Sequence, residues 1–290
     1  LSCAYYLAVL GHDVTVFEQE KKPGGMMVYG IPNFRLEKNV VEAEIDVLRQ
    51  LGVEIKCGVK VGEDVTLDEL RAQGFKGFYV AIGAQGGRKL GVPGEDESKD
   101  VISGIDFLRS VANGENETLP KKVVVIGGGN VAVDVARTAL RQGAEDITML
   151  CLEQRDEMPA ADDEVEETEA EGIKVECGWG PKEIVVKGGK VSSIIMKRCT
   201  QVKDADGRFN PQYDENDTME IPCGAVLAAI GQSIQWGRLL DGSKVVVGRG
   251  GRAEADSWTY QTAQPDVFVG GDVYTGPRFL IDAIAAGKEG

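Results

Sequence analysis

The string Gly127-Gly128-Gly129-Asn130-Val131-Ala132 follows the apolar run Val123-Val124-Val125-Ile126 and opens a helical pattern over 130–142. It fits G-x-G-x-x-A in the strand–turn–helix setting that a dinucleotide site requires. Gly127 permits the tight turn, Gly129 presents no Cβ to a pyrophosphate, and Ala132 is small enough for close helix–strand packing. The helix start, at Asn130, adds unpaired N–H groups and a partial positive charge suited to phosphate. A glycine turn in some other α/β unit is the competing reading. Strand, glycine trio, helix and a second strand in that order favour the nucleotide.

That second strand, over 147–152, ends in Cys151-Leu152-Glu153-Gln154-Arg155. An acidic side chain at this point bonds both ribose hydroxyls and repels a 2′-phosphate, whereas a basic one recruits the phosphate. Glu153 therefore favours NADH, and Arg155 remains able to reach a 2′-phosphate. Glu18 stands in the same kind of position, after a helix, Gly11 and the apolar strand 14–17. An isolated glutamate at a strand end is ordinarily just solvated; in this setting it reads as a second ribose ligand.

Other chemistries find little support. The six cysteines are scattered, with no C-x-x-C, so no zinc knuckle, ferredoxin-type run or local redox dithiol is expected. They read as buried thiols in a reducing cytoplasm. The single histidine, His12, leaves no room for His-based metal sites or catalytic triads, and no metal site is expected. No side chain has a spacing that demands a catalytic acid, base or nucleophile. With 47 acidic against 32 basic residues, the net charge of −15 argues against nucleic acid or an anionic membrane surface as partner. No apolar stretch reaches membrane-spanning length, and the opening LSCAYYLAVL lacks the basic flank and cleavage site of a signal peptide.

The elements that must position these residues follow from the apolar pattern. At 290 residues the chain has room for two domains. Its 38 glycines, well above the average share of about 7%, cluster between apolar runs. Residues 1–10 read as a helix packed on a sheet, 37–51 as an amphipathic helix with Val41, Ile45 and Leu48 on one stripe, and 53–55 as a short strand. Val61 closes another strand; a short helix over 67–73 and a buried strand over 78–82 follow. The stretch 91–120, with VPGEDES, NGENET and Pro120, reads as the hinge between domains. Beyond it come the strand 122–126, the helix 130–142 and the strand 147–152. Pro159 fits the first turn of an acidic helix reaching Glu171. Short alternating strands fill 173–222, with a hairpin across 187–190. A strand over 225–230 ends in Gly231, which serves equally as a domain-crossing turn or a ligand contact. A last strand over 267–269 precedes a helix from about Phe279. Strands buried on both faces and alternating with helices predict parallel sheets with helical cover. Both halves also repeat a helix, a glycine stop and an Asp-hydrophobic-Thr step, Asp13-Val14-Thr15 and Asp146-Ile147-Thr148.

Several longer strings resemble one family. Gly24-Gly25-Met26-Met27, then Tyr29-Gly30-Ile31-Pro32-Asn33-Phe34-Arg35-Leu36, is similar to the FAD-binding region of the glutamate synthase small subunit and its relatives. These are two-domain pyridine nucleotide–disulfide oxidoreductases without the redox dithiol. GGGNVAVD (127–134), RDEMPA (155–160) and the closing GGD with Gly276-Pro277 look like later blocks of the same family. The resemblance implies an α/β fold of two nested Rossmann-like domains: an FAD domain over 1–110 and 246–290, interrupted by an NAD(P) domain over 111–245. It implies that Glu18 binds the adenosine ribose of FAD, that Gly25 and Met26 lie along the cofactor, and that Val61 meets the adenine through its backbone. Gly83 would line the adenosine side, Asp272 would bond the ribityl or pyrophosphate, and Pro277 would approach the flavin ring. Gly127, Gly129, Asn130, Ala132, Glu153 and Arg155 would hold NADH or NADPH. Leu152 and Glu153 occupy the positions where NADPH-using members often carry two arginines, which again favours NADH. The strand and glycine loop expected before Leu1 are absent, so the sequence is expected to begin just past that loop. The implied activity is hydride transfer from NAD(P)H to FAD, then electron delivery to an iron–sulfur partner such as a glutamate synthase large subunit. Any cluster would lie in that partner or in a region outside this sequence. The alternatives are a free-standing or electron-bifurcating NADH-dependent flavin reductase and, more remotely, a non-catalytic nucleotide-binding protein.

Overall fold

The computed structural model describes residues 1–115 and 118–290; Asn116 and Glu117, inside the NGENET stretch expected in the hinge, lie outside the described residues. The chain divides into two compact units, Leu1–Gly86 with Gln232–Gly290, and Gly87–Gly231. One unit is thus inserted into the other in chain order. The chain crosses at 86/87 and 231/232, ahead of the expected 110/111 and 245/246. Strand pairing is the reason. Val101–Ser103 pairs in parallel with Ala225–Ala228, and the following helix Gly104–Ala112 buries Phe107 and Leu108 in the same core as Val133 and Ala136. Residues 101–112 therefore belong to the inserted unit and not to a hinge, while Gly231 stands at the second crossing.

The inserted unit is built on a five-stranded parallel sheet in the order Val101–Ser103, Ala225–Ala228, Lys122–Ile126, Asp146–Leu150, Lys174–Glu176. Its central strand is apolar after Lys122 because both faces are covered. Val123 and Val125 face helices Gly104–Ala112 and Asn130–Arg141. Val124 and Ile126 face a core with Trp179, Ile184, Ile194 and Met196. Those four residues come from an antiparallel sheet of Trp179–Lys187, Lys190–Lys203 and Phe209–Pro222. Its last two strands are 14 residues each, longer than the short strands expected. Their outer halves are polar and exposed, and polarity without burial hides a strand from an apolar-pattern reading. The hairpin at 187–190 is present, with Gly188 and Gly189 at φ 61° and 76°; two left-handed residues match the twist of the flanking strands.

The acidic helix spans Asp162–Ala170 and starts three residues beyond Pro159. The preceding segment is held elsewhere: Ala160 N–H donates to the Gly128 carbonyl (3.0 Å), so the chain turns into the helix only afterwards. Arg137 and Arg141 on Asn130–Arg141 clamp Glu171 at the far end of the acidic helix, with bonds of 2.7 to 3.1 Å.

The other unit contains two parallel strand pairs, Thr15–Glu18 with Glu54–Cys57 and Phe78–Val80 with Val267–Val269. Helix Ser2–Val9 and helix Lys38–Gln50 cover the first pair, burying Ala4, Leu48 and Val53 against Val14, Val16 and Ile55. Val41, Ile45 and Leu48 form the buried stripe. Helix Leu67–Ala72 starts in a capping box: Thr66 Oγ1 accepts from Glu69 N–H, and Glu69 accepts from Thr66 N–H. The strand expected to close at Val61 reduces to one bridge, Val61↔Val65.

Candidate functional site

In the inserted unit the glycine string forms the turn between Lys122–Ile126 and Asn130–Arg141. The three glycines do different work. Gly127 sits at φ 147°, and a Cβ there would stand 2.4 Å from the Ala229 carbonyl oxygen, so no other residue fits without a backbone shift. At Gly128 a Cβ would meet Cys151 Cβ at 2.8 Å and Glu153 Oε2 at 2.9 Å. Gly129 has an ordinary φ of −99°, caps the helix, and faces open space, with nothing within 4 Å of an added Cβ. The open position lies where the helix N-terminus presents its N–H groups. Ala132 is fully buried against the sheet.

Parallel pairing brings Glu153 to this turn. Lys122↔Asp146 through Ile126↔Leu150 sets both strands to end together, so the residues after Leu150 lie beside the glycines. Gly127 N–H donates to the Leu150 carbonyl (2.8 Å) and closes the edge. Glu153 is half-buried, with its carboxylate against Gly128 and its carbonyl accepting from Gly178 N–H at 2.9 Å. Asn130 is engaged within the protein: its Oδ1 accepts from Ala161 N–H at 2.9 Å, tying the 155–161 segment to the helix start. Arg155 turns toward the acidic helix, pairing with Asp162 at 3.5 Å and Glu169 at 3.8 Å. An open glycine cap, a helix N-terminus and an acidic acceptor at the carboxyl edge of a parallel sheet fit a pyrophosphate and a ribose diol.

The second group of predicted residues lies in the other unit. Glu18 ends Thr15–Glu18, half-buried, and its Oε1 accepts from Glu20 N–H at 2.9 Å. Burial raises its pKa, against the opposing pull of backbone N–H donors at Glu20 and Gln19. Val267↔Phe78 through Val269↔Val80 sets the second strand pair to end together, which brings Gly83 (φ 69°) and the Gly270-Gly271-Asp272 string to one edge. Asp272 accepts from Arg278 N–H at 3.2 Å and from Ala84 N–H; burial raises its pKa over that hydrogen bonding. Gly25 (φ 54°) precedes Met26, which opens the short helix Met26–Tyr29, and an added Cβ at Gly25 would find only Gln85 Nε2 at 3.9 Å. Val61 is half-buried beside Leu67 and Val80, and Pro277 is exposed ahead of helix Leu280–Glu289. Two acidic acceptors at strand ends and open glycine backbone are a donor and acceptor set that fits a second nucleotide with ribose and ribityl hydroxyls. Ala84 N–H, which holds Asp272, was not foreseen; the AIG string that ends at Gly83 is its only sequence signal.

The structure also pairs cysteines that sequence spacing left apart. Cys151 Sγ lies 3.8 Å from Cys177 Sγ, and Met158 Sδ is 3.8 Å beyond that. Each cysteine is the first residue after its strand, and the strands are neighbours, a signal visible only once the sheet order is known. Among the described residues no group of three or more His, Cys, Asp or Glu is arranged to hold a metal. No helix among them is long and apolar enough to cross a membrane.

The fold is that of a solved structure of FprA from Mycobacterium tuberculosis in complex with NADPH, with TM-score 0.81 and 18% identity over 99% of this chain and 80% of that one. By sequence, the chain is 38% identical over 294 residues to the NADP(+)-dependent formate dehydrogenase subunit beta of Moorella thermoacetica, covering 99% of this chain and 41% of the relative. It is 33% identical to the glutamate synthase [NADPH] small chain of Escherichia coli (strain K12), covering all of this chain and 64% of the relative. The chain therefore spans less than two thirds of either relative. The family model for pyridine nucleotide-disulphide oxidoreductases matches residues 1–287, and with both nucleotide-type edges falling inside that match the chain belongs to this family.

Proposed function

We propose that this chain is the flavin- and pyridine-nucleotide-binding module of a larger oxidoreductase. It takes electrons from NADH or NADPH, with NADH preferred and FAD as its cofactor, and delivers them to an iron–sulfur partner. The observation that carries this reading is the inserted unit's edge, where open Gly129 caps a helix and the Glu153 carboxylate lies against Gly128. The relatives' names, a formate dehydrogenase subunit and a glutamate synthase small chain, support electron input from a pyridine nucleotide within a multi-subunit enzyme. Both names specify NADP(H); Glu153 is the ground for the opposite preference here.

In this reading unit Gly87–Gly231 holds the nicotinamide nucleotide. The N–H groups around Gly129 take its pyrophosphate, and Glu153 accepts from the adenosine ribose. Ala132 lets the helix sit close enough to do this, and Asn130 fixes the 155–161 segment beside it. Arg155 is the side chain a 2′-phosphate would recruit away from Asp162 and Glu169. The other unit holds FAD, with Glu18 on the adenosine ribose, Gly25, Met26, Val61 and Gly83 along the cofactor, and Asp272 on the ribityl or pyrophosphate. Pro277 would approach the flavin ring. FAD held there would supply the redox chemistry, hydride acceptance and onward electron transfer. The chain's own residues bind and orient, and none is assigned a proton-transfer role. The six free thiols support a reducing, cytoplasmic compartment.

The test is to purify the full-length protein, denature it and identify any released flavin by chromatography. About one FAD per chain is expected. No flavin, or FMN in its place, overturns the assignment of Glu18 and Asp272 to a dinucleotide.

A further inference from the structure

Cys151 and Cys177 sit where a dithiol can be closed. Leu150↔Glu176 is the last registered pair between two parallel strands, and each cysteine follows its strand by one residue. Cys151 N–H still donates to the Glu176 carbonyl at 3.2 Å, so the ladder extends to this pair. Neighbouring strands lie about 4.8 Å apart, inside the Cα separation of roughly 4.4–6.8 Å that a disulfide tolerates. The sulfurs, at 3.8 Å, need to approach to about 2.05 Å, a movement within reach of side-chain rotation and slight backbone adjustment at a strand end.

The surroundings assign the two thiols different parts. Cys151 is 2% exposed and packs against the glycine turn, its Cβ next to the space a Gly128 side chain would fill. Its Sγ contacts the Glu153 carbonyl at 3.6 Å. Cys177 is half-buried and reachable from solvent. Burial raises the pKa of both thiols, and at Cys177 the hydrogen bond from Cys151 and then the Arg155 guanidinium partly offset this. The greater exposure of Cys177 makes it the first site of attack.

We propose that Cys151 and Cys177 form an oxidant-closable dithiol whose closure weakens nucleotide binding at the adjoining turn. Cys177 thiol reacts with a hydroperoxide such as hydrogen peroxide to give a sulfenic acid and water. Cys151 thiol then displaces that oxygen as a second water, and the Sγ–Sγ bond forms. An external dithiol restores both thiols. Closure draws Cys151 Sγ off the Glu153 carbonyl and shifts the packing between Glu153 and Gly128, so the effect falls on the residues assigned to ribose and pyrophosphate. The coupling rests on the function proposed above, and the closure itself does not.

The experiment treats the reduced full-length protein with stoichiometric hydrogen peroxide, blocks remaining thiols and maps the peptides. NADH and NADPH affinities are measured before treatment, after it, and after dithiothreitol. The expected result is a Cys151–Cys177 cross-linked peptide lighter by two hydrogens. It should come with nucleotide affinity weakened by about fivefold or more, reversed by dithiothreitol and absent in Cys177→Ser. Separately alkylated Cys151 and Cys177, or oxygen added at Cys177 or Met158 without the cross-link, overturns the closure. A cross-link that leaves affinity unchanged overturns the coupling. A reduced protein that binds neither nucleotide overturns the functional reading and the coupling with it, while the peptide map still decides the closure.

Discussion

Gly127 and Gly129 stand two residues apart and answer to different constraints, so alanine at each separates folding from binding. At Gly127, φ of 147° and a carbonyl 2.4 Å from the new Cβ predict destabilisation by roughly 1–3 kcal/mol, read as a lower midpoint in denaturant. At Gly129 the new methyl meets nothing, so the loss of stability should be limited to the roughly 0.5–1 kcal/mol that alanine costs in place of glycine at an N-cap. Nucleotide affinity should nonetheless fall at least about tenfold, because the methyl occupies the pyrophosphate's approach. Equal losses in stability from both variants would contradict this division. Glu153→Arg should move preference toward NADPH by about tenfold or more, roughly 1.4 kcal/mol, in paired affinity measurements with both nucleotides. If the preference does not move, Glu153 is not the selector and Arg155 is the next residue to replace. The turn and the acid beside it were legible in the sequence because G-x-G-x-x-A and a strand-end acid are local patterns. The capture of Asn130 by Ala161 N–H and of Arg155 by the acidic helix was not, since both depend on how residues 155–161 fold back onto the turn.

Among the elements, the clamp between helix Asn130–Arg141 and the end of Asp162–Ala170 makes a pH prediction. Side-chain hydrogen bonds from Arg141 and Arg137, over some opposing burial, hold Glu171 at a pKa of about 2 against an ordinary 4.5. A depressed carboxylate adds stability above its unfolded pKa and loses it as pH falls toward the folded one. The contribution is therefore complete at neutral pH and disappears between about pH 4.5 and 2. Glu171 is 23% and Arg137 11% exposed, so solvent screening trims the clamp to about 1–2 kcal/mol. Glu171→Gln should lower stability by that amount at pH 7 and by much less near pH 2; an equal loss at both would point to packing instead of charge. The acidic helix reaching Glu171 was legible in the sequence; the capture of Glu171 was not, because only the approach of Arg137 and Arg141 in space reveals it. The helix Lys38–Gln50 and the strand Lys122–Ile126 were legible because one buried stripe or two buried faces leave a clear apolar period. The long outer strands at 190–222 leave no such period where they meet water.

For the whole molecule, order along the chain was easier to read than its crossings. The repeated helix, glycine and strand pattern points to two related units and the family resemblance implies their nesting, but Val101–Ser103 is only three residues long and sits after a loop rich in Gly and Pro. Its place in the inserted sheet depends on Ala225–Ala228, more than a hundred residues later, and no local signal carries that pairing. Ala84 and Asp272 lie further apart still along the chain. Two strand edges, one in each unit, are proposed to hold the two nucleotides of a single electron transfer. The most direct measurement is an anaerobic titration of the intact, flavin-loaded protein with NADH and, separately, NADPH, following flavin absorbance near ~450 nm. Bleaching by both is expected, with NADH acting at the lower concentration. A flavin band that neither nucleotide bleaches would contradict the proposed electron input, and bleaching by NADPH at the lower concentration would contradict the preference assigned to Glu153.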